Sequence, residues 1–237
     1  MLADFIQAVQ LFQDEWPEAR AHWQQVDPAL FAAASPEPVE RLMEVMPSAF
    51  GALVRAIIHQ QVSIYAGRAI CGRLVDACGD EVEPLAVLRL SDEDLRAVGL
   101  SRQKTIYMRA LAGAAAAGDL DDLEEESEAE VTRRLVRLPG IGVWTAKMFC
   151  MFHLMRPDVF SGDDLGLREG IRVLDAMPGP LTSTDAERRA EIWSPYRSVA
   201  AVALWDLLRR TRAADAEARK AAGPPARSRG GAPSTPA

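Results

Sequence analysis

Apolar residues recur at helical spacing along most of the chain. Phe50, Leu53, Val54, Ile57 and Ile58 lie at positions i, i+3, i+4, i+7 and i+8, which places them on one face of a helix. No segment combines strict apolar and polar alternation with Val, Ile or Thr between turn residues, which is the pattern typical of sheet strands. The pattern therefore predicts an all-α fold.

Serine and glycine residues mark the ends of the predicted helices. A serine hydroxyl can accept a hydrogen bond from the first amides of a helix, and glycine adopts the left-handed conformation that ends one. Helices are predicted to begin after Ser63, Ser91 and Ser101 and to end at Gly79, Gly99 and Gly118. Later helices are predicted at 133–137, 143–155, 165–174, 187–193 and 198–212, with a loop at 156–164.

Length and composition fit a globular protein. The chain has 237 residues, of which 49% are hydrophobic, enough for one large domain or two small ones with a buried core. Residues 223–237 contain few apolar side chains and many Gly, Pro and Ser, so this tail is predicted to be disordered.

The charge is distributed unevenly. The formal net charge is −7, which at first argues against a polyanionic partner. Eight acids lie within residues 119–130, however, and without them the sum is +1. Such a run is typical of a solvated connector. Residues 131–172 then carry seven Lys or Arg against four acids, so this part of the chain can face phosphate groups.

Several classes of protein are disfavoured. No apolar run approaches the roughly 20 residues that a membrane-spanning helix needs, and the N-terminal residues include acids where a secretory signal carries Lys or Arg. We therefore expect no membrane contact and a cytoplasmic location. Cys71, Cys78 and Cys150 form no C-x-x-C pair, so this chain alone cannot assemble a zinc ribbon or a Cys-ligated iron–sulfur cluster.

A turn with specific chemistry joins two of the predicted helices at residues 138–142, Leu-Pro-Gly-Ile-Gly. Pro139 fixes its own φ, and Gly140 accepts a positive φ. Gly142 leaves the first amides of the next helix uncovered, and these amides with the helix dipole suit one phosphate of a DNA backbone without reading its base. An ordinary tight connection between helices has the same residues, so the turn alone leaves both interpretations open.

Two successive carboxylates, Asp163 and Asp164, lie at the end of the loop that precedes a predicted helix. A carboxylate at that position can cap the helix, and this role suits one of the two acids. Two acids are more than a cap requires. The other can project into a cleft, where it would face a developing positive charge.

A resemblance to a known family rests on these residues. Residues 138–170, LPGIGVWTAKMFCMFHLMRPDVFSGDDLGLREG, resemble the helix-hairpin-helix DNA glycosylase superfamily with its Gly/Pro-rich turn and following Asp. Within it, the similarity is strongest to the 3-methyladenine DNA glycosylase II branch, which excises alkylated bases. The resemblance covers roughly residues 47–212 and implies a two-lobed helical fold. Residues 1–46 are then expected to form a helical segment that packs with the C-terminal helices.

The resemblance also implies roles for single residues. The essential aspartate of the family falls on Asp164, which leaves Asp163 as the expected helix cap. Lyase members carry a lysine two residues after the last glycine of the hairpin, and this chain has Trp144 there. Tryptophan cannot form a Schiff base, so a monofunctional enzyme is implied. Lys147 lies nearly one turn further on and is expected to face solvent or phosphate.

Backbone and wedge contacts with DNA are implied as well. The hairpin residues Gly140, Ile141 and Gly142 are expected to bind the phosphate backbone, together with Lys147. Residues 50–73, FGALVRAIIHQQVSIYAGRAICGR, match the family segment that supplies a wedge, a side chain that fills the gap left by a flipped base. Gln61 occupies the wedge position. Without the resemblance, Gln61 would be interpreted as an ordinary helix-end residue.

The implied base pocket contains two tryptophans. Trp144 is one, and Trp205 is the other, because residues 195–205 match the late helix of the family whose Trp lines the pocket. Where the family has another aromatic residue one turn after Trp144, this chain has Met148. The remaining three tryptophans are expected to be core aromatics; these are Trp16, Trp23 and Trp193.

Together these expectations describe a monofunctional glycosylase that acts on damaged double-stranded DNA as a monomer. It would flip an alkylated base and hydrolyse its N-glycosidic bond, as a step of base excision repair. No cofactor or catalytic metal is expected, although the resemblance allows a monovalent ion at the hairpin carbonyls. Two alternatives stay open: a non-catalytic DNA-binding module, and a bifunctional glycosylase and lyase for oxidised bases.

Overall fold

The computed structural model of the protein describes residues 6–44, 48–79 and 81–222. These residues form twelve α-helices, one 3₁₀ turn and two short strands. The elements are β1 (Ile6–Gln10), α1 (Trp16–Val26), α2 (Pro28–Ala33), β2 (Glu40–Glu44), α3 (Ala49–His59), α4 (Ile64–Cys78), α5 (Pro84–Arg89), α6 (Asp92–Ala97), α7 (Arg102–Ala116), α8 (Glu128–Leu135), α9 (Val143–Phe152), α10 (Leu165–Leu174), α11 (Ser183–Ala190), the 3₁₀ turn Glu191–Trp193 and α12 (Arg197–Ala222).

The predicted all-α fold is confirmed for the body of the protein. The strands β1 and β2 add a two-stranded antiparallel ribbon in which Ile6 pairs with Glu44 and Gln10 pairs with Glu40. This ribbon was not predicted, because its two strands pair across about thirty residues and neither has the β-branched alternation of a half-buried strand.

Local caps set the helix ends as the sequence predicts. The hydroxyls of Ser63 and Ser101 accept the amides of Ala66 and Lys104, and Ser91 forms a full capping box with Asp94. Gly79, Gly99 and Gly118 have φ of +81°, +109° and +86° and follow α4, α6 and α7. The helix predicted at 143–155 is shorter and ends at Phe152, and α12 is longer than predicted.

The buried side chains form two hydrophobic cores. The first core lies among α3 to α9, and the second lies among α1, α2, α10, α11 and α12. Trp16, Trp23 and Trp193 are at most 1% exposed in the second core, as predicted. The predicted domain limits at residues 46–47 and 212 stay a proposal.

Helix α9 connects the two cores. Its residues Ala146, Phe149 and Cys150 belong to the first core, whereas Met151 belongs to the second. A helix that is apolar on more than one side is expected to lie between packed layers. We call the helices around the first core the first lobe and those around the second core the second lobe. The hairpin at the start of α9 therefore has a fixed position relative to both lobes.

The acidic segment at 119–130 is more ordered than a solvated connector. Leu120 and Leu123 are buried in the first core, and α8 begins within the segment through a capping box of Ser127 and Glu130. Arg134 donates to the backbone oxygens of Asp119 and Asp121, which ties the segment to α8. The predicted helix at 133–137 accordingly starts earlier, at Glu128.

Two other sequence predictions concern the C-terminal tail and membrane-spanning helices. The tail at 223–237, predicted to be disordered, lies outside the described residues. Among the residues that are described, none of the helices is both long enough and apolar enough to span a membrane.

Candidate active site

The hairpin turn at residues 138–142 is closed by its own backbone. The amide of Ile141 donates to the Leu138 carbonyl at 3.1 Å, and the Ile141 side chain is buried in the first core. Gly140 has a φ of +87°, and a Cβ there would lie 2.3 Å from the ring of Tyr107. Glycine at 140 is thus a requirement of the fold, and Ile141 can reach DNA only through its backbone.

Gly142 differs from Gly140 in this respect. It is the N-cap of α9, with φ of −91° and ψ of 172°, and no side chain caps the helix. A Cβ on Gly142 would meet nothing within 4 Å. The first amides of α9 are therefore uncovered at an exposed surface, which is the geometry that binds an anion at a helix N-terminus.

A second turn, at residues 60–62 between α3 and α4, is tethered to the hairpin. The side-chain amide of Gln60 donates to the Gly140 carbonyl at 2.9 Å. Lys104 Nζ donates to the carbonyls of Ile58 and Gln60 at 2.8 and 2.6 Å, and burial lowers the pKa of this ammonium. These bonds fix the turn against the hairpin, so both present one continuous surface.

Gln61, the predicted wedge, lies at the tip of the tethered turn. Its side chain is exposed and its φ is +55°, a left-handed conformation that costs a non-glycine residue energy. The structure therefore presents Gln61 beside the hairpin, although no partner for its side chain is present among the described residues.

Asp164 accepts three N–H donors. Its Oδ1 accepts the Leu167 amide at 2.8 Å and Trp205 Nε1 at 3.1 Å, and its Oδ2 accepts Trp144 Nε1 at 2.9 Å. The carboxylate thus joins the hairpin helix α9, which carries Trp144, to the late helix α12, which carries Trp205. Three of the predicted site residues meet at one carboxylate, although they are up to 61 positions apart in the chain.

The N-cap of α10 is Asp164, so the prediction that Asp163 caps this helix is wrong. Asp164 has the extended backbone of a cap and accepts the Leu167 amide three positions on. Asp163 is exposed, and its Oδ1 accepts the Ser183 hydroxyl of α11 at 2.8 Å. The cap therefore belongs to Asp164, and its second oxygen is left to face the Trp144 indole.

Close packing holds Trp205 against the start of α10. A Cβ on Gly166 would lie 2.9 Å from Trp205 Nε1 and 3.1 Å from Asp164 Oδ1. On its other side, the Trp205 ring stacks on Phe152, with ring centroids 5.7 Å apart and an interplanar angle of 27°. Gly166 and Phe152 thus help to form the site, and the sequence did not single them out because their partner is more than 35 residues away.

The two other predicted pocket residues differ in exposure. Trp144 is 45% exposed, so it lies at the surface of the site. Met148, one turn later in α9, is partly buried and packs against the second core.

Lys147 does not face solvent, which was one of its two predicted positions. Its Nζ lies 3.1 Å from Glu187 Oε1 of α11, and its side chain is only 19% exposed. The same Glu187 oxygen accepts the Gly162 amide at 2.8 Å. The charge of Lys147 is thus paired with a carboxylate of this chain, and its contact with phosphate stays a prediction.

The described part of the chain contains no evident metal site. There, no group of three or more His, Cys, Asp or Glu side chains is placed to hold a metal ion. At the hairpin, the Gly140 carbonyl, one of the oxygens that a monovalent ion could use, accepts the Gln60 amide.

Comparison with protein families places this site in context. The family model described as HhH-GPD superfamily base excision DNA repair protein matches residues 54–196. This match includes the turn at 60–62, the hairpin, the carboxylate Asp164 and the helix α11, and it ends just before α12.

Individual proteins are similar as well. DNA-3-methyladenine glycosylase 1 of Schizosaccharomyces pombe is 34% identical over 158 residues, which are 65% of this chain and 69% of that protein. The structure of a DNA-3-methyladenine glycosidase from Bacillus halodurans is similar with a TM-score of 0.75 and 33% identity, over 85% of this chain and 94% of that one. The S. pombe 3-methyladenine DNA glycosylase in complex with abasic DNA has a TM-score of 0.70 and 30% identity, over 79% and 95%.

Proposed function

Since the chain belongs to the HhH-GPD superfamily of base excision DNA repair proteins, we propose that it is a monofunctional DNA glycosylase that excises alkylated bases of the 3-methyladenine type. The observation that carries this proposal is the Asp164 carboxylate, which two indole N–H groups hold at the start of α10. Capping α10 does not require an indole N–H on each oxygen, and a module that only binds DNA gains no affinity from an anion here, because the phosphate backbone repels it.

Access to the base requires that the nucleotide leave the helix. Rotation of a nucleotide out of a duplex costs roughly a few kcal/mol, and less when damage has weakened its pairing or stacking. The exposed Gln61 would fill the gap, since its turn is fixed to the hairpin through Gln60. The hairpin would grip the flanking phosphate through the open amides of α9.

The base pocket favours a cationic ring. Alkylation of a purine ring nitrogen gives the base a positive charge, and the electron-rich faces of Trp144 and Trp205 attract such a ring. The bonds to Asp164 use the indole N–H edges and do not cover the ring faces. Phe152 already stacks on one face of Trp205, so a flipped base would stack on the other. The half-exposed Trp144 would cover one face of the base.

Bond cleavage then depends on charge. As the N-glycosidic bond breaks, its electron pair leaves with the base, and the sugar develops the positive charge of an oxocarbenium ion. The Asp164 carboxylate stabilises that charge, as carboxylates do in glycoside hydrolysis. A water oxygen forms the new bond to the anomeric carbon and loses its proton, which leaves an abasic site and a free base.

A monofunctional reaction is proposed because, among the described residues, no free lysine amine is placed to attack the sugar. Trp144 stands where lyase members carry their lysine, and an indole nitrogen forms no Schiff base. Lys147 is ion-paired with Glu187, so its ammonium is held away from the role of nucleophile. We propose that damaged double-stranded DNA is the substrate and that one copy of the chain suffices.

The experiment that tests this function uses duplexes that each carry one defined alkylated base. We expect release of the free base, strand breakage only after alkaline treatment, and no adduct after borohydride reduction. Breakage without alkali, or a trapped adduct that disappears in Lys147→Ala, would show a lyase instead. Binding to the duplexes without base release would favour the non-catalytic module.

A further inference from the structure

The loop that precedes Asp164 is held by helix α11. Glu187 Oε1 accepts the backbone amide of Gly162 at 2.8 Å, and Ser183 donates its hydroxyl to Asp163 at 2.8 Å. Ser183 and Glu187 are four residues apart, so both side chains lie on the same face of α11, the face turned to the loop. The loop is thus fixed at the two residues directly before Asp164.

Contact between this loop and α11 is too close for any side chain at Gly162. A Cβ there would lie 2.3 Å from the Ser183 carbonyl oxygen and 2.8 Å from Glu187 Cγ. Gly162 is buried, so its amide has no access to water and requires an acceptor from the protein. Glu187 supplies that acceptor.

The same carboxylate also reaches the hairpin helix. Lys147 Nζ lies 3.1 Å from Glu187 Oε1, and Lys147 is three residues after Trp144 in α9. Trp144 in turn donates to Asp164 Oδ2. One closed set of contacts therefore runs from Glu187 to the loop, to Asp164, to Trp144 and back through Lys147.

We propose that Glu187 is a positioning residue for the aspartate at 164. By accepting the Gly162 amide, it sets where the Asp164 carboxylate lies relative to Trp144 and to the anomeric carbon of a flipped nucleotide. The ion pair with Lys147 also helps to keep the Glu187 carboxylate in place. It contributes less than the hydrogen bond from the Gly162 amide, because the Lys147 and Glu187 side chains are partly exposed, at 19% and 38%. This inference rests on the proposed glycosylase function.

Three variants separate the two contacts of Glu187. Glu187→Gln keeps an oxygen that can accept the Gly162 amide and loses the charge, whereas Glu187→Ala loses both. Glu191→Ala is the matched control, because Glu191 is an exposed glutamate one turn later, just after α11. Each variant is compared with the wild type in single-turnover base release, in binding to a duplex with an abasic site, and in thermal unfolding.

We expect Glu187→Ala to lower the single-turnover rate about tenfold or more, since small errors in placing a reacting group cost large factors. Glu187→Gln should recover most of that loss, and Glu191→Ala should match the wild type. Binding to the abasic duplex should change by less than about twofold in all three, because the hairpin is untouched. An unchanged rate in Glu187→Ala, or a Gln variant as slow as the Ala variant, would overturn the proposal.

Hydrogen exchange gives a measurement that does not depend on activity. The amides of residues 162–164 should exchange faster in Glu187→Ala than in the wild type, and near the wild-type rate in Glu187→Gln. Equal protection in all variants would contradict the positioning role. A wild-type protein that fails to release any alkylated base, but shows this pattern of exchange, would instead contradict the proposed function and leave Glu187 as the anchor of the loop.

Discussion

Two glycines of the hairpin differ in what they do. Gly140 has a positive φ and no room for a side chain beside Tyr107, so the fold itself requires it. Gly142 has an ordinary φ and open space around its Cα, so the fold would accept a larger residue there. The absence of a side chain at 142 is best explained by a molecule that approaches the amides of α9.

A valine at Gly142 tests that explanation. We expect Gly142→Val to weaken binding to damaged and undamaged duplexes alike by roughly five- to tenfold, because the amides contact phosphate and not bases. The melting temperature should change little. Fluorescence anisotropy with both duplexes measures the effect, and Gly179→Val, at a second glycine with open surroundings, is the control. A loss of affinity confined to damaged DNA would indicate that the hairpin contacts the damaged base, and it would contradict this explanation.

Gln61 should behave differently from Gly142. We expect Gln61→Ala to leave the affinity for undamaged DNA nearly unchanged and to slow excision most for lesions that still pair well, because their extrusion costs most. Single-turnover rates on one lesion placed in a stable pair and in a mismatch measure the difference. If both rates fell by the same factor, Gln61 would be only a helix-end residue.

Site residues were predictable from the sequence where a short motif carries them. The hairpin and Asp164 lie within one stretch of 27 residues, where the Gly/Pro-rich turn and the paired acids are visible in the sequence, and the resemblance to the family singled out Asp164. The roles of Glu187, Gly166 and Phe152 were not predictable, because each depends on a partner that only the fold brings near. The cap was assigned to Asp163 for a related reason: which of two adjacent carboxylates turns toward the amides is a matter of backbone geometry.

At the scale of elements, a buried carboxylate joins the N-terminal helices to α11 and the 3₁₀ turn within the second core. Asp27 caps α2 and is 5% exposed. Its Oδ2 accepts Arg189 at 2.6 Å and Trp193 Nε1 at 2.8 Å, both from the region of α11 and the 3₁₀ turn. Burial alone would raise the pKa of Asp27, but the hydrogen bonds from Trp193, Arg189 and Leu30 lower it overall.

This arrangement predicts a pH-dependent contribution to stability. Because the pKa of Asp27 is lowered in the folded state, its contribution is complete above the ordinary value of 3.8 and is lost as the pH falls through the folded-state pKa. We expect Asp27→Asn to keep the cap but to lower the free energy of unfolding by about 2 kcal/mol at pH 7.

Urea unfolding at several pH values measures this difference. The gap between Asp27→Asn and the wild type should be constant from pH 7 to about 5 and should shrink below pH 4. Asp175→Asn, which removes the more exposed partner of the same Arg189, should cost less. A gap for Asp27→Asn that grows as the pH falls would contradict the lowered pKa.

Helices were predictable to the extent that their ends are local. Serine caps and left-handed glycines fix α4, α6 and α7 through contacts within four residues, and these predictions are confirmed. The acidic segment was misjudged because its order comes from elsewhere: Arg134 and Arg156 donate to its carbonyls from α8 and from the loop after α9. The ribbon of β1 and β2 likewise depends on pairing between distant segments.

At the scale of the whole molecule, the site lies where both lobes meet. The turn with Gln61 belongs to the first lobe, Asp164 and Trp205 belong to the second, and α9 contributes to both cores. A single helix therefore fixes the distance between the carboxylate and the hairpin, the proposed DNA contact. The net charge of −7 does not oppose this, because eight acids lie in the segment at 119–130.

The central claim is that the charge of Asp164 acts on the sugar as the base leaves, and Asp164→Asn tests it most directly. Asparagine can still cap α10, so the fold should persist. We predict that single-turnover release of an alkylated base falls at least a thousandfold while binding to an abasic duplex changes less than about threefold, with Asp163→Asn near the wild type. Base release by Asp164→Asn at the wild-type rate, or its loss in Asp163→Asn instead, would contradict the account.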